Sequence, residues 1–237
     1  MEKYYDPSFL EDLFDDMSGT YAHVNYITSF GFSERWRKQC VKAIPIENDA
    51  TVVDLLTGMG ECWNALLKNR TPDFHLVGID ISSEMIKRAE KRKTKYPDLH
   101  IDLLKENVFE NSIADEKADV IISGFGIKTF NEEQLHQLAL EIKRILKPGG
   151  HFSMVDVSVP PNKLLRGLYL FYLKQVIPVL GKLFLGNPET YRMLGIYTEL
   201  FQNAEKCAEI FRKAGLEVEY KSYFYGCASG LVGRKLL

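Results

Sequence analysis

The stretch Val52-Val53-Asp54-Leu55-Leu56-Thr57-Gly58-Met59-Gly60-Glu61 is typical of a buried β-strand that ends in a glycine-containing turn, with a helix directly behind it. A second predicted strand, His75-Leu76-Val77-Gly78-Ile79, ends on Asp80. This order of strand, tight loop, helix and acid-terminated strand indicates a βαβ unit that holds a nucleoside. Gly58 and Gly60 leave the loop backbone open to a ligand. We expect the Asp80 carboxylate to accept hydrogen bonds from the two ribose hydroxyls.

The loop differs from that of a dinucleotide site. A dinucleotide fingerprint has a third glycine three residues after the second, and this position is Trp63. Glu61 also places a negative charge at the start of the predicted helix, where a phosphate would bind. A ligand with positive charge near the loop is therefore favoured, and S-adenosylmethionine (SAM) fits with its sulfonium and ammonium groups. The alternative is a purely structural turn, which the order of the later segments disfavours.

The length fits one domain over residues 1–237, and a hydrophobic fraction of 46% is enough for a large core. A formal net charge of −2 implies no general affinity for nucleic acid or for anionic lipid. The four cysteines lack paired spacing and the five histidines are scattered, so we predict no disulfide framework and no metal site. Neither a signal peptide nor a run of membrane-spanning length is recognisable. We predict a cytoplasmic protein, and the sequence leaves open whether it is a homodimer.

The first 46 residues precede the core strand and are too aromatic for a disordered tail. The periodicity predicts helices over 8–17 and 33–43, with Ser33 as the N-cap of the second. A helical flap over the nucleoside site is the functional interpretation. Packing on the sheet is the structural one, and both can hold together.

The segments after Asp80 supply candidates for the adenine end of the site. Ser82 or Ser83 can cap a helix. Ile81 and Met85 then lie near the mouth of the site, where a thioether can pack on adenine or simply fill the core. A third strand over 99–104 leads to Asn107 and Val108, at the height of the adenine edge.

The fourth strand, Ala118–Ser123, is an apolar run typical of a strand covered on both faces. Its exit at Ser123 leads into Gly124–Phe130, beside the switch point of the sheet, where a second substrate should bind. A helix marked by Leu135 to Ile145 is predicted to end at the Pro/Gly stop Lys147–Gly150, and a fifth strand follows over 151–157.

An insert over residues 160–200 interrupts the alternation of strands and helices. Its apolar part, 164–185, is broken at Pro178 and Gly181 and is followed by a further break at Gly186, so we predict one or two amphipathic helices rather than a spanning helix. These helices can cover the acceptor site, contact a membrane surface peripherally or add to the core. A last helix over 203–214 and a hairpin over 216–235 close the chain.

With these motifs, the chain resembles the UbiE/MenG family of class I SAM-dependent methyltransferases, which methylate carbon in ubiquinone and menaquinone precursors. The likeness extends over nearly the whole chain. The matching segments are Phe14–Met17 with Tyr21, Asn25, Ser29–Gly31 and Trp36; Asp54-Leu55 with Gly58 and Gly60; Asp80-Ile81 with Glu84-Met85; Phe125–Ile127; Leu146–Gly150; Tyr191–Leu194; and Tyr225–Gly230.

The resemblance implies a Rossmann-like α/β fold with helices on both faces of a mostly parallel seven-stranded sheet, in the order 3-2-1-4-5-7-6. It also implies SAM as cofactor and a lipophilic hydroquinone as acceptor. The SAM site would comprise Asp54, Leu55, Gly58, Gly60, Glu61, Asp80, Ile81, Met85, Asn107, Val108 and Ser123.

The sequence departs from the family at Lys128-Thr129, where the family usually has an Arg-Asn pair. Lysine is a point charge and cannot reproduce a bidentate fork. We nevertheless predict that Lys128 stabilises the phenolate and that Tyr21 or a water shuttles the proton. Two alternatives stay open. One is an O-, N- or C-methyltransferase for another phenolic or lipophilic metabolite, and the other is a SAM-binding subunit without catalysis.

Overall fold

Seven strands form one sheet in the order β3-β2-β1-β4-β5-β7-β6 in the computed structural model, which describes residues 2–68, 73–183 and 187–237. Strands β1 to β5 are parallel, and β7 runs antiparallel to both β5 and β6. The predicted strand order and mostly parallel sheet are confirmed. The strands are β1 (Ala50–Leu55), β2 (Phe74–Asp80), β3 (Ile101–Lys105), β4 (Ala118–Gly124), β5 (Leu146–Val157), β6 (Leu216–Tyr223) and β7 (Ala228–Lys235).

Helices cover both faces of the sheet because neighbouring strand residues point to opposite sides. Val52 packs in a core with Trp63, whereas Val53 belongs to the core on the opposite face with Leu138. The helices are α1 (Pro7–Met17), α2 (Tyr21–Thr28), α3 (Phe32–Lys42), α4 (Trp63–Leu67), α5 (Ser83–Lys93), α6 (Glu132–Ile145), α7 (Lys163–Phe171), α8 (Ile177–Leu183), α9 (Pro188–Phe201) and α10 (Glu205–Lys213).

Several predicted boundaries are wrong by a few residues. Gly31, with φ of 77°, precedes α3 in place of the predicted cap Ser33. The sequence predicts the first helix after β1 over 61–69. Helix α4 starts only at Trp63, so Glu61 lies in the loop before it, and the predicted end at Asn69 lies outside the described residues. Strand β3 begins two residues later than predicted and α10 begins at Glu205. Of the two predicted caps, Ser82 and Ser83, the cap is Ser82, because its hydroxyl oxygen accepts from the Met85 amide.

The segment Lys147–Gly150 is part of a strand rather than a stop between helix and strand. Strand β5 starts at Leu146, directly after α6. Its pairing with β4 shifts between Ala118 and Val120, which is the sign of a β-bulge. The bulge accommodates a proline and two glycines at the start of the strand.

The predicted breaks in the insert do not interrupt its helix. Helices α7 and α8 are joined by a π-helical turn, Tyr172–Val176, into one run over Lys163–Leu183. This wider turn ends two residues before Pro178, whose ring would otherwise clash with a carbonyl group one turn earlier. Gly181 allows close packing, because a Cβ there would lie 2.5 Å from the Tyr191 ring. Gly186 lies outside the described residues.

The run over 163–183 also corrects the expectation that no segment reaches the length of a membrane span. By length and composition alone, it is the one helix in the described chain that could cross a membrane. However, Leu173 and Ile177 are buried in a core that also contains Leu10 and Val24. The helix is therefore packed along one side against the rest of the protein.

Candidate active site

The loop after β1 is held against the end of β2. The Gly58 amide donates to Asp80 Oδ2 (2.7 Å), and the Thr57 amide donates to the Ile79 carbonyl oxygen (2.9 Å). This edge, at the carboxyl ends of parallel strands, is where open α/β sheets bind ligands. It contains a cavity of about 70 Å³, the loop cavity. Eight predicted site residues line the loop cavity: Tyr21, Gly58, Glu61, Asp80, Ile81, Met85, Asn107 and Val108.

Asp54 lies beneath the loop instead of in the loop cavity. It is fully buried, and its Oδ2 accepts from Thr57 Oγ1 (2.6 Å) and from Trp63 Nε1 (3.1 Å). Burial raises the pKa of this carboxyl group to about 7, and the negative charges of Glu61 and Asp80 add to the shift. Its role in the geometry is to fix the loop from below.

Three more predicted cofactor residues lie outside the wall of the loop cavity. A Cβ at Gly60, where φ is 77°, would lie 2.5 Å from the Trp63 ring. The space that this glycine leaves is therefore filled by the protein itself, not open to a ligand. Leu55 is buried in the sheet core, and the buried Ser123 presents its carbonyl oxygen to Cys40 Sγ of α3 (3.8 Å).

Arg37 of α3 lines the loop cavity and is missing from the predicted site. Its Nη1 donates to Glu34 (3.2 Å), while its Nη2 lies 3.7 Å from Glu61 Oε1. Two buried atoms here, Arg37 Nε and Glu61 Oε1, have no hydrogen-bond partner within the described part of the chain. Buried polar atoms are almost always paired, so this cluster is prepared for a ligand with both a donor and an acceptor. The sequence feature that could have indicated Arg37 is a positively charged residue directly after Trp36.

Helix α1 supplies Leu10 and Phe14 to the loop cavity. The enclosed volume is much smaller than the roughly 300–1,000 Å³ of typical small-molecule sites. Since α1 is not part of the sheet, an outward movement of α1 would enlarge the cavity and leave the strands paired.

Asp15 ties α1 to the start of α5. Its Oδ1 accepts from Ser82 Oγ (2.5 Å) and the Glu84 amide (3.0 Å), and its Oδ2 accepts from Ser83 Oγ (3.1 Å). Burial alone would raise the pKa of Asp15, but these hydrogen bonds outweigh burial and hold the pKa below its usual value. A carboxylate at a helix N-terminus is stabilised by the helix dipole.

We expect Asp15→Ala to lower the free energy of unfolding by about 1 kcal/mol, the usual cost of losing a helix cap. Because the pKa of Asp15 is lowered in the folded state, this contribution is present at neutral pH and is lost on acidification. Denaturant unfolding at neutral and at acidic pH measures it. Asp12→Ala, at an exposed position of α1, is the control. Equal effects of the two substitutions at neutral pH would contradict the assigned cap.

A second cavity of about 360 Å³, the apolar cavity, adjoins the loop cavity, because Tyr21 and Phe125 line both. Part of its wall comes from the helical run over 163–183 and from α9. Its size falls within the range of small-molecule sites. The aromatic and aliphatic lining comprises Phe30, Phe32, Trp36, Val157, Leu165, Tyr169, Tyr172, Leu173, Ile177, Leu194 and Phe224.

Lys128 faces the apolar cavity as one half of a buried ion pair. Its side chain is 6% exposed, and Nζ lies 2.9 Å from Asp156 Oδ1 and donates to the Phe125 carbonyl oxygen (3.0 Å). Asp156 Oδ2 also accepts from the Lys128 amide (3.0 Å). Asp156 is absent from the predicted site. Its position at the end of the fifth strand is the sequence feature that could have indicated it. The neighbouring Thr129 lines the loop cavity instead and donates to the Gly126 carbonyl oxygen.

Tyr21 stands where the two cavities meet. Burial raises the pKa of its phenol above the ordinary value, and the negative charge of Glu61 raises it further. The hydroxyl therefore stays neutral at physiological pH. It can donate or relay a proton, but it cannot act as a phenolate base.

Strand β2 and the start of β3 bring together three residues that appear scattered in the sequence: His75, Asp102 and His100, which directly precedes β3. His75 Nε2 lies 2.8 Å from Asp102 Oδ2, and the His75 and His100 rings stack with centroids 4.2 Å apart. None of the three lines the loop cavity or the apolar cavity. The parallel register of β2 and β3 explains this cluster.

Residues 2–235 match the sequence model of the ubiE/COQ5 methyltransferase family. The chain belongs to this family. The demethylmenaquinone methyltransferase of Lactiplantibacillus plantarum is 29% identical to this methyltransferase over 228 residues, which is 95% of each chain. The enzyme of the same name from Thermotoga maritima is 32% identical over 228 residues, 93% of each chain. A SAM-dependent methyltransferase from Aquifex aeolicus has a similar fold, with a TM-score of 0.58, 19% identity, and coverage of 83% of this chain and 88% of that chain.

The family predicted from the motifs, a SAM-dependent methyltransferase of the UbiE/MenG type, is thereby confirmed. The predictions of an enzyme and of a Rossmann-like fold are confirmed as well.

Proposed function

We propose that this methyltransferase transfers the methyl group of SAM to a ring carbon of a lipophilic hydroquinone of the demethylmenaquinol or ubiquinol-precursor type. The observation that carries the proposal is the apolar cavity, which adjoins the loop cavity and is lined by Lys128, the cationic half of the Lys128–Asp156 pair. An aromatic ring with an apolar tail suits such a wall, while the buried ion pair offers a polar contact for a hydroxyl group. The names of the two relatives support the same acceptor class.

On the donor side, the residues around the loop cavity fit SAM. Asp80 would accept hydrogen bonds from the ribose hydroxyls, and Met85 would pack on adenine near Asn107 and Val108. Glu61 would bind the ammonium group, and its Oε1, which accepts no hydrogen bond within the described residues, supports this assignment. We assign Asp54, Leu55, Gly60 and Ser123 to holding the strands and the loop rather than to direct contact. When bound, SAM supplies an electrophilic methyl group.

Arg37 would bind the carboxylate of the donor, since its Nε–Nη2 edge is the fork that carboxylates prefer. We expect Arg37→Met to weaken binding of S-adenosylhomocysteine about tenfold, as charged hydrogen bonds are lost. Binding of 5′-methylthioadenosine, which lacks the amino-acid end, should not change. Calorimetric titration with both ligands measures this, with Arg35→Met at an exposed position of α3 as control. Equal weakening for both ligands would show that Arg37 only supports the fold.

On the acceptor side, ionisation of one hydroquinone hydroxyl makes the ring carbon nucleophilic. Lys128 would stabilise the resulting phenolate, sharing its charge between that oxygen and Asp156. Tyr21, as a neutral phenol, would relay the released proton. The cavity wall would exclude water and orient the ring of the acceptor toward the methyl group that SAM supplies.

The test is turnover of SAM with a short-chain demethylmenaquinol kept reduced, with product detected by mass. We expect a product methylated on ring carbon, and no product with the oxidised quinone, because only the hydroquinone can ionise to a nucleophile. Absence of product together with measurable SAM binding would overturn the proposed acceptor and would leave SAM as the donor. The acceptor would then be another phenolic or lipophilic metabolite, as the Lys128-Thr129 departure allows.

A further inference from the structure

Exposed apolar side chains are concentrated around one side of the protein. Ten of the fourteen large hydrophobic side chains that are exposed in the described chain lie in three segments, 26–30, 164–183 and 224–225. Phe30 and Tyr225 are each 80% exposed. Isolated exposed hydrophobic residues are ordinary, but a concentration of this kind marks an interaction site. We call these three segments together the docking face.

The three segments are adjacent in space. The Phe30 ring stacks on Tyr172 with centroids 6.2 Å apart, and the Tyr172 hydroxyl donates to the Thr28 carbonyl oxygen (2.7 Å). Phe224 packs on Phe32, directly after the first segment, with centroids 4.2 Å apart. Aromatic contacts therefore join the three segments into one surface.

Within the run over 163–183, exposed apolar residues follow helical spacing. Leu164, Leu168 and Phe171 lie on one side, whereas Leu173 is buried against the protein. A helix with one apolar side exposed and the other packed on a folded domain lies along a bilayer surface rather than across it.

The charge of this run indicates the partner. Residues 163–183 contain four basic residues and no acidic residue, although the whole chain has 30 basic and 32 acidic residues. Lys174 pairs with Glu199, but Lys163, Arg166 and Lys182 have no ion-pair partner in the ranges that the structure covers. Basic residues beside exposed apolar side chains complement the surface of an anionic bilayer.

We propose that the docking face binds the surface of a membrane that contains anionic lipids, with the mouth of the apolar cavity toward the bilayer. Phe30, Tyr172 and Phe224 line the apolar cavity and also belong to the docking face, so the cavity opens there. An acceptor dissolved in the bilayer then reaches Lys128 without crossing water. This delivery route rests on the proposed function, whereas membrane binding itself does not.

The first experiment is co-sedimentation with vesicles of phosphatidylcholine, with and without phosphatidylglycerol. We expect the wild-type protein to bind the anionic vesicles more tightly than the neutral ones, and Leu168→Glu/Phe171→Glu to weaken that binding by about tenfold or more. Leu140→Glu, at an exposed leucine of α6 outside the docking face, should bind as the wild type does. Failure of the wild type to bind, or equal binding by the double variant, overturns the proposal. So does a wild-type dimer that the double variant dissociates, because the face would then join two copies.

The second experiment compares two acceptors, one long-chain and embedded in vesicles, the other short-chain and in solution. The double variant should lose turnover about tenfold only with the embedded acceptor, because neither Leu168 nor Phe171 lines the apolar cavity. If the double substitution changed turnover by the same factor with both acceptors, the delivery route would be overturned. Vesicle binding without turnover on either acceptor would instead reject only the proposed function.

Discussion

Replacing Lys128 with methionine is expected to lower turnover of the acceptor by about 100- to 1,000-fold, the usual loss when a stabiliser of developing negative charge is removed from a buried site. Lys128 lines the apolar cavity but not the loop cavity. Affinity for SAM should therefore be unchanged. Steady-state turnover with a short-chain demethylmenaquinol and calorimetric titration of SAM separate the two quantities.

A single substitution in a buried ion pair also affects folding. Without Lys128, the fully buried Asp156 carboxylate has no compensating cation, and breaking a buried pair costs about 3–5 kcal/mol. The double variant Lys128→Met/Asp156→Asn removes both charges and should be more stable than the single variant. We expect it to be as inactive as the single variant. Turnover of the double variant within a few-fold of the wild type would show that the pair serves structure only.

Lys128→Arg then tests the departure from the family at this position. An arginine offers a bidentate fork, but its guanidinium group is larger than the ammonium group that fits between Asp156 and the Phe125 carbonyl oxygen. We expect turnover between those of the wild type and the methionine variant. Higher turnover than that of the wild type would mean that arginine suits this acceptor better than lysine does at position 128.

The strands of the sheet were predictable because each carries a local signal. Strand β1 is buried along its entire length and β4 along nearly all of it, and such strands read as continuous apolar runs. The helical run over 163–183 was not predictable, because Pro178 and Gly181 normally break helices. A widened turn before the proline and the packing of Tyr191 on the glycine override that preference, and both depend on tertiary contacts.

The site was predictable as a set of segments but not residue by residue. Motif spacing places Gly58 and Gly60 in one loop directly after the strand that carries Asp54, but it cannot show that the Trp63 side chain folds back beneath that loop. Arg37 reaches the same cavity from a helix that precedes the first strand. Contacts between distant segments decide such cases, and a single sequence does not contain them.

Replacing Asp80 with alanine is expected to weaken SAM binding by about 10- to 100-fold, in line with about 1–3 kcal/mol for lost hydrogen bonds to a charged group. Asp80 Oδ1 accepts from the Ser82 amide (2.9 Å) and Oδ2 from the Gly58 amide (2.7 Å). Each carboxylate oxygen can accept more than one hydrogen bond, so ribose hydroxyls can be added to these two. Calorimetric titration measures the change, and Asp98→Ala at an exposed position is the control. Unchanged affinity in Asp80→Ala would remove this residue from the ribose site.

The same carboxylate predicts a pH dependence with a definite sign. Burial raises the pKa of Asp80 to about 6, with the negative charges of Glu61 and Asp15 adding to the shift. SAM affinity should be full above this pKa and should decrease as the pH falls below it. In Asp80→Ala, this pH-dependent decrease should be absent. The stability contribution runs the opposite way, because an acid with a raised folded-state pKa binds more protons when folded, so acidification through this range favours the folded state. Weaker SAM binding at the lower pH, with an unchanged or higher free energy of unfolding, would therefore separate titration of Asp80 from acid unfolding.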